Sequence, residues 1–187
     1  MFFRAGNAAQ VGGPEKNISG DKKMIVVYYS RSGNTKLVAE LIAQKTNAEL
    51  RRIEEVSKRR FLPTTLFFGG YQAVTGKSSK LKPMDYSLEG YDLVFLGTPV
   101  WASSPTPAMN AFVSQAEFSG KKVILFFTMG GDKFDKAAEI LKRKIEGKGG
   151  TVKGAFGVQT SGVSGMKKEE EKKLLEGAAM ELDRLLK

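Results

Sequence analysis

The sequence predicts an α/β chain: a doubly wound, five-stranded parallel sheet with helices on both faces. Three observations carry this. Short, continuous, β-branched apolar runs recur at 24–29, 92–97 and 121–127, as expected of strands buried on both faces. Segments with apolar residues at helical spacing alternate with them, which is the signature of parallel strands joined by crossover helices. At 187 residues the chain is long enough for one domain that buries such a sheet without metal or disulfide staples.

Residues 1–22 are rich in Gly, Asn and polar side chains and show neither helical nor strand periodicity. They are expected to form a flexible N-terminal extension without the sustained apolar core of a signal peptide, leaving 23–187 as the domain. The first strand is Met24–Tyr29. The first helix, about Asn34–Lys45, sets Leu37, Val38, Leu41 and Ile42 on one face. A second strand, Ala48–Ile53, carries Arg51 and Arg52 and reads as an edge strand. The stretch 57–89 breaks the alternation, and a connection of this length is more often functional or partly helical than structureless. An irregular helix is expected near Leu62–Thr75; its aromatics belong either to the core or beside a ligand rim.

The third strand is Asp92–Gly97. A helix then opens near Pro105 or Pro107, because proline suits a first helical turn, and carries Met109, Phe112, Val113 and Ala116 on one face. After the strand Lys121–Phe127, a helix is expected from Asp132, a plausible N-cap, to Gly147, with Phe134, Ala137, Ala138, Leu141 and Ile145 buried. The fifth strand, Thr151–Val158, is interrupted by Gly154 and Gly157. The last helix, about Lys167–Leu186, buries Leu174, Leu175, Ala178, Leu182 and Leu185 and opens on a solvated run with pairs such as Glu169–Lys173.

Composition removes several chemistries. The chain has no Cys and no His, so disulfides, thiol catalysis, Ser-His-Asp hydrolysis and the commonest metal ligand are absent. No loop clusters carboxylates for a metal. A redox role therefore needs a cofactor. No stretch approaches the ~20 apolar residues that span a bilayer, and cytoplasm is the expected location.

The most informative residues are Ser30-Arg31-Ser32-Gly33-Asn34-Thr35, between the first strand and the first helix. Free backbone N–H groups and the positive end of the helix dipole favour an anion there, and three hydroxyls can donate to it. One of them could instead be an ordinary N-cap. Arg31 either adds charge near the anion or points outward. A phosphate monoester suits such a turn. Gly76-Lys77-Ser78 imitates a nucleotide-triphosphate loop, but position 71 is Tyr71 where that motif needs Gly.

The pattern Ser-x-Ser-Gly-x-Thr after a first strand resembles the phosphate loop of the flavodoxin family. Gly97-Thr98-Pro99-Val100-Trp101-Ala102 after the third strand and Thr128-Met129-Gly130-Gly131-Asp132 after the fourth extend the resemblance from Met24 to Lys187. It implies strand order 2-1-3-4-5 and FMN as cofactor. Ser30, Arg31, Ser32, Gly33, Asn34 and Thr35 would hold the phosphate. Thr98, Pro99, Val100, Trp101 and Ala102 would line one edge of the isoalloxazine ring, and Thr128, Met129, Gly130 and Gly131 the other. Trp101, the only Trp, is either a ring-stacking platform or simply a buried aromatic. The resemblance further implies an electron carrier between redox partner proteins, with an FMN-dependent NAD(P)H reductase of quinones, azo or nitro compounds or flavins as the alternative. No residue is required as a catalytic acid or base. It names no electron donor, acceptor or oligomeric state.

One feature departs from the family, whose members are typically acidic: the net charge is +10, of which residues 1–23 contribute +2. Lys58, Arg59, Arg60, Lys77, Lys80 and Lys82 meet no acidic residue between them. Such a surface suits an acidic partner; with no nucleic-acid motif beside it, nucleic acid is not expected.

Overall fold

A computed structural model describes residues 23–56, 79–160 and 167–187. In chain order these form β1 (Met24–Tyr29), α1 (Asn34–Thr46), β2 (Glu49–Ile53), β3 (Leu93–Trp101), β4 (Ser104–Pro105), α2 (Pro107–Gln115), β5 (Lys122–Met129), α3 (Asp135–Glu146), β6 (Thr151–Gln159) and α4 (Lys168–Leu186). The hydrogen-bonded order is β2-β1-β3-β5-β6, with every neighbouring pair parallel. Counting only these strands, this is the expected 2-1-3-4-5. The addition is β4, two residues paired antiparallel to the end of β3.

Strand period two divides the core. Ile25, Val27, Val94 and Leu96 pack on Met109, Phe112 and Val113 of α2 and on Ala137, Leu141 and Ile145 of α3. Val26, Tyr28, Phe95, Phe126 and Phe156 pack on Val38, Ala39 and Ile42 of α1 and on Leu174, Ala178 and Leu182 of α4. The helix after β1 and the helix after β3 thus lie on opposite faces. Between the C-terminal ends of these two adjacent strands the chain changes face, and such a switch point is where doubly wound sheets bind ligands. Leu37, Leu41 and Leu185 lie only partly buried at the margin of this second layer.

Glycine in the strands answers to packing. A Cβ at Gly97 would lie 2.0 Å from Phe126 Cζ, one at Gly154 2.6 Å from Leu185 Cδ2, and one at Gly157 2.2 Å from Met129 Cε. The last two are the residues that interrupt the sequence pattern of β6. They are where neighbouring side chains press on the strand.

Three expectations are corrected. β3 does not stop at Gly97: it runs to Trp101, because Val100 and Trp101 pair with Pro105 and Ser104. The turn is Ala102–Ser103, both left-handed (φ 47° and 58°), as a two-residue hairpin requires. Helix α3 begins at Asp135 rather than Asp132, with Phe134 at the cap position and no side-chain cap bond. Phe134 stacks on Phe127, ring centroids 5.4 Å apart, so tertiary packing sets that boundary in place of a polar cap. In α4 the i,i+4 ion pair is Lys172–Glu176 rather than Glu169–Lys173.

The segment after β2 is closed at its base. Val56 N–H donates to the Lys80 carbonyl (3.0 Å) and Lys82 N–H to the Glu54 carbonyl (2.9 Å), while Lys82 Nζ reaches Glu54 Oε2 at 2.6 Å. The helix expected near Leu62–Thr75, the imitation Gly76-Lys77-Ser78 and the extension 1–22 lie outside the described residues.

Candidate functional site

The turn after β1 is set by one backbone demand. Gly33 has φ +105°, a conformation that side chains rarely adopt. Its N–H donates to Ser30 Oγ at 3.2 Å, and its carbonyl accepts the first helical bond, from Leu37 N–H at 3.0 Å. The N–H groups of Asn34, Thr35 and Lys36 therefore precede the first bond of α1, at the positive end of its dipole. The first turn holds no acidic residue, and Gly33 itself takes the N-cap with no side-chain bond. The ordinary capping role open to the hydroxyls is not the one they play. Ser32 is exposed, Arg31 half-buried, and Ser30 and Asn34 buried.

Beneath this turn Thr35 Oγ1 and Thr128 Oγ1 are hydrogen-bonded at 2.7 Å. Both residues are buried, at 1% and 3% exposure, so this pair ties the loop after β1 to the end of β5 from below. Thr128 also stands in register with Pro99 of β3. Beyond it, the Met129 carbonyl accepts from the Thr160 N–H at 2.7 Å and hydroxyl at 3.2 Å. Gly130 and Gly131 are exposed, and a Cβ at either would meet nothing within 4 Å. Their backbone faces open space.

On the third segment, Thr98 is fully buried and its Oγ1 lies 2.9 Å from Thr106 Oγ1. Thr106 in turn accepts the Met109 N–H at 3.3 Å and caps α2. The Thr98 hydroxyl thus holds the hairpin to the helix behind it. Pro99, Val100 and Trp101 are half-buried and Ala102 exposed. The Trp101 and Tyr29 rings meet in a T, centroids 6.1 Å apart at 84°, and Arg31 Cζ lies 5.8 Å from the Trp101 ring centroid. The predicted residues therefore separate into two layers. Arg31 and Trp101 are half-buried and Ser32, Ala102, Gly130 and Gly131 exposed, while Thr35, Thr98 and Thr128 are buried beneath them.

A flavodoxin family model matches residues 76–152, a span that includes the β3 and β5 segments but not the turn at 30–35. A flavodoxin from Trichodesmium erythraeum is 35% identical over 102 residues; the match covers 49% of this chain and 58% of that protein. Among solved structures, a flavoprotein from Lactobacillus acidophilus in complex with FMN is 25% identical with a TM-score of 0.58, covering 73% of this chain and 93% of its own. A candidate flavoprotein from Bacteroides uniformis aligns with a TM-score of 0.64 at 22% identity, over 83% of this chain and 98% of its own. The fold is flavodoxin-like.

Two residues of this flavodoxin-like edge escaped the sequence reading. Tyr29 closes β1, meets Trp101 edge-on and donates to Glu55 Oε2 at 2.6 Å. Its position as the last residue of a strand, directly before the anion turn, was the available signal. Thr106 had none, since its partner is a buried hydroxyl on another element. The neighbouring Tyr28 phenol is held above its ordinary pKa by burial, with Arg52 pulling the other way, so it stays neutral at physiological pH. Among the described residues no group of acidic side chains could hold a metal, and no helix is long and apolar enough to cross a membrane.

Of the basic surface proposed from sequence, Lys58, Arg59, Arg60 and Lys77 lie outside the described residues. Lys82 is joined to Glu54, and Lys80 is exposed.

Proposed function

We propose that this chain binds FMN at the β1/β3 switch point and carries electrons between redox partner proteins. The observation that carries the reading is the meeting of an anion-competent helix terminus with a half-buried indole at one edge of the sheet. The donor set fits a phosphate monoester: N–H groups before the first bond of α1, the Ser30 and Ser32 hydroxyls, and the Arg31 guanidinium, with no carboxylate in the first helical turn. The open backbone at Gly130 and Gly131 and the face of Trp101 suit the two edges of a planar ring. The similarity to a flavoprotein solved with FMN supports the same ligand.

Bound FMN supplies the electron and hydride chemistry. This chain's own residues bind the phosphate, cover the ring and exclude water. With neither His nor Cys anywhere in the sequence, the site offers no dedicated proton shuttle, and this supports a carrier over an enzyme with its own substrate. The net charge of +10 suits acidic partners met by electrostatic steering, in the cytoplasm.

Titrating flavin-free protein with FMN, FAD and riboflavin tests the cofactor. FMN is expected to bind tightest, one per chain. Riboflavin binding as tightly as FMN would overturn the phosphate assignment. Mixing the holoprotein with NAD(P)H tests the role: a carrier oxidises it slowly without a partner reductase, and rapid oxidation by the protein alone overturns the carrier in favour of an NAD(P)H reductase.

A further inference from the structure

Arg31 belongs to both halves of the site. Its backbone is part of the anion turn, between Ser30 and Ser32, yet its guanidinium lies over the Trp101 ring, 5.8 Å from the centroid. The other side of the contact is fixed: Tyr29 meets the same indole in a T-shaped contact and is itself tied to Glu55, and Trp101 is held in register by its pairing with Ser104. The indole therefore has a rigid frame, and the half-buried Arg31 reaches over it on a long side chain.

The geometry points to Arg31 as a latch that couples the two subsites, an inference that rests on the FMN reading above. As placed, the guanidinium covers the platform on which a planar ring would settle. A phosphate dianion at the N-terminus of α1 attracts the same guanidinium by charge–charge interaction and bidentate hydrogen bonding, both stronger than a partly exposed cation–π contact. Arg31 turns toward the anion, and the indole face is uncovered. The residue then favours phosphorylated flavin twice: it contacts the phosphate, and it withholds Trp101 from any ring that arrives without one. A riboflavin molecule must displace Arg31 and receives nothing in return. Arg31 is thus a specificity-determining residue for phosphomonoesters of planar aromatic ligands.

Trp101 is the only Trp, so selectively excited indole emission reports the surroundings of this one ring. The experiment uses the full chain stripped of flavin, inorganic phosphate as the probe, and chloride at matched ionic strength as the control. Phosphate is expected to shift the emission saturably and to raise its quenching by acrylamide, with chloride doing neither. Arg31→Met is expected to show the uncovered emission from the start, to lose the phosphate response, and to bind riboflavin about two- to fivefold more tightly than the wild type, the factor a partly exposed cation–π contact represents. Arg31→Lys, which keeps the charge on a smaller head, should restore phosphate binding while leaving the indole more quenchable than in the wild type.

An unchanged phosphate response in Arg31→Met overturns the latch, as does equal action of phosphate and chloride, or riboflavin affinity that is unchanged or weaker in that variant. A wild type that binds neither FMN nor riboflavin, yet keeps the Arg31-dependent phosphate shift, leaves the latch standing and removes the FMN reading instead.

Discussion

The turn after β1 and the segment after β3 reach the same edge of the sheet by opposite means. The first is local. One left-handed glycine, one Ser30–Gly33 hydrogen bond and the start of α1 define it within a few residues. The second depends on distant parts of the molecule: β3 continues, doubles back through two left-handed non-glycine residues, and is held by the buried Thr98–Thr106 pair to the cap of α2. A locally built anion turn can lose donors without unsettling the fold. A platform built from tertiary contacts cannot be altered without a cost in stability.

The strongest test of that contrast removes a donor from the turn. Ser32→Ala should weaken FMN by roughly ten- to a hundredfold, since a hydrogen bond to a charged group contributes roughly 1.5–3 kcal/mol, and should hardly change riboflavin affinity. Equal losses for both ligands would mean that the turn is as dependent on the fold as the platform is.

The next effect sharpens the boundary between the regions, because Thr35 and Thr128 link them. Thr128→Val alone leaves the buried Thr35 hydroxyl without its partner and should destabilise by about 1–3 kcal/mol. The double change Thr35→Val, Thr128→Val replaces both hydroxyls by methyl groups and should cost less than the two single changes together. Denaturant unfolding of the three variants measures this, and strict additivity would show that the 2.7 Å pair contributes no coupling.

A smaller effect is expected at the hairpin. Ser103 has φ 58°, a region that disfavours residues with a Cβ by roughly 1–2 kcal/mol, partly offset by the greater unfolded-state freedom of glycine. Ser103→Gly should therefore raise stability by less than about 1 kcal/mol, seen as a rise of a few degrees or less in melting temperature. A fall would mean that the serine side chain holds the turn.

The smallest effect lies at the other end of the sheet and serves as a control. Glu49 on β2 is held below its ordinary pKa chiefly by the Tyr91 hydroxyl and then by Arg51. A carboxylate whose folded pKa is lowered stabilises the protein above its unfolded pKa, and this is lost as pH falls through the folded value. Tyr91→Phe should flatten the acid limb of the stability–pH profile slightly, since the group is exposed, and leave FMN affinity untouched. A changed affinity would show that the far end of the sheet communicates with the site.

What the residues disclosed in advance follows the same division. Strand cores were legible in Ile25–Tyr29 and Val123–Phe127 because a strand buried on both faces must be continuously apolar. The anion turn was legible because its requirement is local, a glycine and hydroxyls before a helix. The extension of β3 was not, since Gly97 and Pro99 are residues that usually end a strand. β1 ceases to pair with β3 at Gly97, and proline is tolerated where one side of a strand has no ladder partner. Nor does Ala102–Ser103 carry the Asn-Gly signal of a two-residue hairpin. The Thr35–Thr128 contact joins residues 93 positions apart and becomes visible only once the strand order is known. The start of α3 was missed because Phe134 on Phe127 outweighed the polar cap suggested by Asp132.

The strand glycines carry a consequence for inheritance. At Gly97 and Gly157 the space a methyl group would need is already filled by Phe126, or by Met129 and Phe134. Neither glycine can change alone without pushing a neighbour, and neither neighbour can shrink alone without leaving a void. These positions should therefore drift in pairs along any lineage: an alanine at 97 accompanied by a smaller residue at 126, and a larger residue at 157 by a shorter one at 129 or 134. Because Met129 and Phe134 flank Gly130 and Gly131, the second pairing would move the far side of the proposed site along with the core. In this fold, variation in a buried strand is thus a route by which descendants can reshape the proposed ligand site from beneath.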